Sequence, residues 1–193
     1  MAATAAPYGL VPVNLIGGQA YAGSFRQIKM TNSYGTSVFF GDVLTMAATG
    51  TVEATQAATS SRPIGIFMGC EYTDPTLNYK VHSQMWTAST SATDIVAYVC
   101  DDPDAVFMGQ SDASVAQTAL GLNVEFATYA AGNTNIGKSI VALDGGSAAT
   151  TNTFPLRIID FVVGPDSAVG DSFTDLLVKW NFGIHSYELA LGQ

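Results

Sequence analysis

The chain is short of charge, and of positive charge above all: seven Lys and Arg stand against sixteen Asp and Glu in 193 residues, with 12% charged overall. Average globular chains carry roughly 25% charged residues, and the surface of a free monomer about 25–35%. So few cations cannot dress an independent surface. The exterior has to be Ser, Thr, Ala, Asn and Gly, or much of it has to be covered, as in a subunit of a larger assembly. The formal net charge of -9 points the same way about partners, because phosphate binding needs clustered Lys and Arg. Arg26 and Lys29 are the only close basic pair, so nucleic acid is not an expected partner.

Histidine and cysteine are equally sparse. Cys70 and Cys100 each lie in an apolar, strand-like stretch, which suits two buried thiols better than a bridge. His82 and His185 are far apart and lack the companion ligands that a zinc site would need. No Ser sits in a Gly-x-Ser-x-Gly elbow, and Gly145-Gly146 is not followed by the Lys-Ser/Thr that closes a phosphate loop. Cys100 precedes Asp101, whose charge disfavours a thiolate. Asp101, Asp102 and Asp104 around Pro103 read as a turn, with oxygen ligation of a hard cation such as calcium as the other reading. No enzyme activity, cofactor or metal is therefore expected. The opening six residues lack the basic start and apolar core of a secretory leader, and no apolar run approaches 18 residues, so no membrane association is expected.

What the chain does have is short β-branched and aromatic runs divided by Gly, Pro, Asn, Asp, Ser and Thr, the grammar of a mainly-β protein. Strands are expected over 8–16, 25–30, 38–46 (broken or bulged at Gly41-Asp42), 64–72, 77–81, 95–100, 154–163 and 176–185. Residues 105–110 are expected to return as the hairpin partner of 95–100. Residues 111–120 form the one expected helix: Asp112 can cap it, Ala and Gln fill it, and Gly121 stops it. Low-complexity patches at 47–61 and 145–153 each lead into a Pro-started apolar run, Pro63-Ile64-Gly65-Ile66 and Pro155-Leu156-Arg157-Ile158. No linker divides the chain. The expected architecture is a single-domain β-barrel or β-sandwich (17–193) with an extended N-terminal arm (1–16).

The candidate contact residues are Tyr8, Leu10, Val11 and Val13 in the arm, with Met85 and Trp86. Pro7 and Pro12 each remove an amide donor, which favours an edge or an arm over a sheet centre. An extended segment of that kind can add to a neighbour through main-chain hydrogen bonds. Met85-Trp86 lies in a polar stretch, so it is either a contact point of the kind enriched at interfaces or a loop folding its Trp onto the core. Tyr8, Phe25, Phe39, Phe40, Phe67, Phe107, Phe126, Phe154, Phe161 and Phe182 fall in strand-like runs and read as mostly core.

The order of segments resembles a family of head decoration, or cement, proteins of tailed bacteriophages, encoded beside the major capsid protein. The resemblance rests on Ala6-Pro7-Tyr8-Gly9-Leu10-Val11-Pro12-Val13, Val38-Phe39-Phe40-Gly41-Asp42-Val43-Leu44, Pro63-Ile64-Gly65-Ile66 and Asp101-Asp102-Pro103-Asp104. It continues through Gly121-Leu122-Asn123, Pro155-Leu156-Arg157-Ile158, Gly164-Pro165-Asp166 and Asn181-x-x-x-His185. It covers nearly the whole chain, although residues 78–93 match no part of the pattern. It implies a β-rich viral structural protein, made in the host cytoplasm and placed on the outer surface of the virion. It further implies a homotrimer that stabilises contacts between major capsid subunits, with no catalytic residues. The competing readings are a receptor- or carbohydrate-binding β-sandwich module of a phage fibre or spike, marked by an exposed aromatic beside carboxylates, and an acidic hydrolase with two facing carboxylates.

Overall fold

The structure, a computed structural model, describes residues 4–55, 63–128 and 132–181. Its strands are β1 (Val11–Leu15), β2 (Arg26–Lys29), β3 (Val43–Met46), β4 (Val52–Ala54), β5 (Pro63–Thr73), β6 (Lys80–Ser83) and β7 (Val96–Cys100). They continue as β8 (Ala105–Gln110), β9 (Asn123–Thr128), β10 (Gly132–Asn133), β11 (Lys138–Ser139), β12 (Ala142–Ala149), β13 (Leu156–Phe161) and β14 (Asp175–Trp180). Sheet 1 runs β1-β8-β14-β13-β9-β12, and sheet 2 runs β2-β7-β5-β3-β4 with β6 added beside β5. All ladders within the two sheets are antiparallel. The end strands β1 and β12 do not pair with each other, so of the two expected architectures this is a β-sandwich and not a closed barrel.

Two cores hold it together. Between the sheets, Leu10, Phe107, Phe126, Leu143, Leu156 and Val178 of sheet 1 and its entry meet Val43, Ile66 and Cys100 of sheet 2. On the opposite side of sheet 2, Phe67, Cys70, Ala97 and Val99 are covered by Met30, Val38, Trp86 and Ile95. The middle of sheet 2 is thus buried on both faces. That is why β5 opens as a nearly continuous apolar run, Pro63-Ile64-Gly65-Ile66-Phe67, instead of alternating. At roughly 25 cal/mol per Å² of apolar surface, each large side chain in these cores contributes about 1.5–3 kcal/mol.

Three expectations need correction. The arm is not free: residues 11–15 form the edge strand of their own sheet, with Val11 opposite Met108 and Leu15 opposite Ala105. Ahead of it, the Gln110 side chain clamps the chain by accepting from the Ala6 amide at 2.7 Å and donating to the Thr4 carbonyl at 3.2 Å. Pro12 is accommodated because an edge strand needs only one hydrogen-bonded side. The second correction concerns 105–110, which is not a hairpin partner of 95–100. The turn at 101–104 carries the chain from β7 in sheet 2 to β8 in sheet 1, leaving Cys100 and Ala105 in the shared core.

The third is the helix at 111–120, of which only a three-residue 3-10 turn, Gln117–Ala119, exists. Its backbone and cap are engaged elsewhere. Ser111 N–H donates to the Thr174 carbonyl, Asp112 N–H donates to that of Leu143, and the Val115 carbonyl accepts from Gly170. The Asp112 carboxylate, expected as the cap, accepts from the Gly145 amide on β12. The Val115 carbonyl, taken by Gly170, and the Asp112 carboxylate, taken by Gly145, are the groups that an i to i−4 ring and an N-cap would have needed.

Candidate functional site

The core-facing side of sheet 2 extends beyond the part that sheet 1 covers. Cys100 on β7 is fully buried, yet Tyr98 and Val96, two and four residues back on the same side, are only partly covered. Opposite Tyr98 on β5 stands Gly69, at a bulge with φ +137°. A Cβ there would press on the Ser83 carbonyl at 3.0 Å and make ordinary contact with the Tyr98 ring at 3.7 Å. Tyr98 leans across β5 towards β6. Its hydroxyl donates to Glu71 Oε2 at 2.6 Å, and its ring stacks with that of His82 at a centroid distance of 6.5 Å. Because the one phenolic proton goes to Glu71, the 3.1 Å contact to His82 Nδ1 is donated by the imidazole. The Glu71 carboxylate, with burial and its charge behind that hydrogen bond, pushes the Tyr98 phenol up to about 12. On the other flank, Phe25 packs on Tyr98 at 4.8 Å and leaves 51% of its surface in water.

This aromatic row leads into a cleft of about 650 Å³ at the strand ends. Lys29, Thr31, Asn32, Thr49, Thr51, Lys80, Thr93 and Asp94 supply its polar lining, over Met30, Ile95 and Val96. Lys80 lies 3.1 Å from Asp94 and 3.9 Å from Glu71. Asp94 also accepts from the Thr73 hydroxyl at 2.7 Å and the Thr73 amide at 2.9 Å. Those bonds, with Lys80, hold its carboxyl well below the usual range. Lys29 has no carboxylate partner among the described residues. Thr51 Oγ1 is 2.8 Å from both Thr31 Oγ1 and Thr49 Oγ1, a chain of three hydroxyls.

The contact residues expected from sequence are dispersed. Trp86 is 0% exposed and belongs to the second core, donating from Nε1 to the Tyr34 carbonyl at 2.9 Å and meeting Tyr72 edge-on at 5.2 Å. It is therefore no surface contact; the ring is too large and apolar to remain in the polar stretch that carries it. Leu10 is likewise buried between the sheets. Tyr8, Val11 and Met85 are half-buried and only Val13 is exposed. Tyr8 donates its hydroxyl to Asp175 at 3.1 Å, tying it to its own sheet. The exposed aromatic beside carboxylates, looked for near Trp86, lies instead at Phe25, Tyr98, Glu71 and Asp94. Nothing in single-strand periodicity could have grouped those residues.

The remaining candidates have ordinary partners. Asp101 is paired with Arg26 at 2.6 Å, Asp104 with Lys179 at 2.9 Å, and Asp102 accepts from the Asp104 amide at 2.8 Å. Among the described residues, no group of three or more His, Cys, Asp or Glu is placed to hold a metal ion. Cys70 and Cys100 are free and buried, as expected, and burial pushes the Cys70 thiol up to about 12. His185 lies outside the described residues. Also among the described residues, no helix is long and apolar enough to cross a membrane. Comparison with protein-family models, with curated proteins and with solved structures finds no match.

Proposed function

We propose that the chain is a non-catalytic structural protein of a tailed-phage virion, a decoration protein that sits on the outside of the capsid and stabilises contacts between major capsid subunits. One observation carries the reading beyond the sequence resemblance: large apolar side chains are held out in water at the tips of hydrogen-bonded turns. Leu77 and Tyr79 flank a turn in which Asp74 Oδ1 accepts from the Thr76 and Leu77 amides at 2.7 and 2.8 Å. Ile136 sits on a turn closed onto the Asn133 carbonyl. Val163, 73% exposed, adjoins the Gly164–Ser167 turn.

Backbone fixed in this way loses little further freedom on docking, and each large side chain contributes about 1.5–3 kcal/mol when buried. Several separate apolar tips suit a clamp that touches more than one shell subunit. The low surface charge fits permanent assembly in a closed symmetric oligomer, and the resemblance implies a homotrimer.

Mixing the purified protein with shells of the major capsid protein encoded beside it, then imaging the particles, tests this. Density on the outer surface is expected, with occupancy falling in the Leu77→Ser, Tyr79→Ser, Val163→Ser triple variant. Bare shells, or unchanged occupancy in a folded triple variant, refute it. Sedimentation of the free and shell-released protein measures the trimer.

A further inference from the structure

The cleft and the aromatic row beside it are not needed for docking through turn tips, and they share a different chemistry. We infer that this surface of sheet 2 binds an anionic oligosaccharide. The charge argument comes first. In a chain of net charge -9 with seven cations, two of them meet here. Lys80 is already neutralised by Asp94 and Glu71, whereas Lys29 is left without a carboxylate among the described residues. The cleft therefore offers one uncommitted ammonium to an acid group. A densely charged polymer is disfavoured, because Glu71, Asp94 and the acidic body would repel successive charges.

The second argument is the supply of groups that suit sugar hydroxyls. Thr31, Thr51 and Thr49 form two hydrogen bonds with three hydroxyl protons, so one proton remains for an acceptor in the cleft. Asp94, held ionised by Thr73 and Lys80, is an acceptor for a ligand hydroxyl. The third is apolar. Phe25 offers the C–H face of a pyranose a half-exposed ring already fixed against Tyr98. Phe25 and Lys29 lie four residues apart on the same side of the β2 segment, roughly 13 Å at the rise of a strand. That spacing fits a short oligosaccharide better than a single sugar, with its acid group at Lys29 and a ring over Phe25. A few convergent polar groups over an apolar floor are how such sites fix orientation.

Lysine is a point charge and does not distinguish a uronate carboxylate from a sugar phosphate, so the test carries both. The full chain is titrated by calorimetry and by amide chemical shifts. The ligands are a uronate trisaccharide, a phosphorylated trisaccharide and the matching neutral trisaccharide. At least one acidic ligand is expected to bind about tenfold tighter than the neutral one, the contribution of a charge-assisted hydrogen bond. Lys29→Gln is expected to erase that preference and leave neutral binding in place. Phe25→Ala is expected to weaken all ligands about tenfold. Both positions are largely exposed, so unchanged urea unfolding curves confirm folded variants. The inference is overturned if no ligand saturates the protein at about 10 mM, if acidic and neutral ligands bind alike, or if Lys29→Gln keeps the preference. Shells take no part in this assay, so its failure leaves the docking proposal standing, and the reverse holds.

Discussion

Asparagine in place of Asp42 probes the joint between the sheets through a single atom. Asp42 is fully buried at the entrance to β3. Its carbonyl accepts from Phe67 of sheet 2, while the carbonyl of Gly41 beside it accepts from Leu10, which enters sheet 1. Oδ2 accepts the Phe39 amide at 2.8 Å, and Oδ1 has no hydrogen-bond partner among the described residues. Burial pushes this carboxyl up to about 6, against the Ser139 hydroxyl and the Phe39 amide, which favour its charged form. A rise from 3.8 to about 6 is some two units, or about 3 kcal/mol of stability forgone at pH 7.

The sign follows from the raised value. The penalty is fully present above about pH 6, where folding must bury a charge. It shrinks as pH falls from about 6 through the unfolded value of 3.8, and is gone below about 3, where the carboxyl is neutral folded or unfolded. Asp42→Asn keeps an acceptor for the Phe39 amide and carries no charge, so its own cost is independent of pH. Urea unfolding of both proteins, followed by Trp fluorescence at pH 4, 5, 6 and 7, measures the difference. The variant should gain on the native chain by about 2 kcal/mol between pH 4 and pH 7. Exposed carboxylates with the opposite trend, Asp94 among them, cancel in that difference. A gap constant to within about 0.5 kcal/mol across the range would falsify the account of a buried, under-solvated charge.

The corrections to the fold carry their own tests. Trp86→Ala should cost about 3–5 kcal/mol in the same unfolding assay, the range for a buried aromatic; a loss below about 1 kcal/mol would return Trp86 to the surface. Deleting residues 2–16 removes Leu10 from the core and β1 from sheet 1. The truncated chain should lose its dispersed amide spectrum, whereas a well-folded truncation would restore the idea of a free arm. Gly65→Ala places a methyl against the Cys100 carbonyl oxygen and 2.7 Å from Val99 Cγ1, so it should lower stability by about 1–3 kcal/mol or more through overpacking. A neutral result would show that β5 and β7 are not so closely apposed.

Where periodicity and burial agreed, the sequence was a sound guide. The runs at 64–72, 95–100 and 154–163 lie on β5, β7 and β13, each flanked by partners on both sides, so their apolar character follows directly from position. The two Pro-started runs at 63 and 155 open or immediately precede interior strands, one in each sheet. Strands on the margins left weaker marks. Residues 142–149 read Ala-Leu-Asp-Gly-Gly-Ser-Ala-Ala, and their second half falls in a low-complexity patch. They nevertheless form β12, an edge strand whose register with β9 shifts twice. Gly145 is there for closeness, since a Cβ would collide with Ser111 Oγ. β4 is similarly hidden in the Ala- and Thr-rich patch at 47–61, part of which lies outside the described residues.

The surface was harder to read than the core because its chemistry is assembled from distant segments. Phe25 comes from the residue just before β2, Lys29 from β2, Glu71 from β5, Lys80 and His82 from β6, Tyr98 from β7, and the Thr49 and Thr51 hydroxyls from the turn before β4. No two of these segments carry a spacing that means anything alone. Gly69, opposite Tyr98 at the β5 bulge, marks the place where Tyr98 reaches past β5 to Glu71 and His82. In sequence it is one of 19 glycines. Trp86 misled for the converse reason, since its polar neighbours describe the backbone path while the side chain turns inward through a single hydrogen bond to Tyr34. A rare aromatic in a polar stretch therefore says less about a binding surface than an ordinary Phe whose strand partners hold it, half exposed, beside a lysine with no carboxylate partner among the described residues.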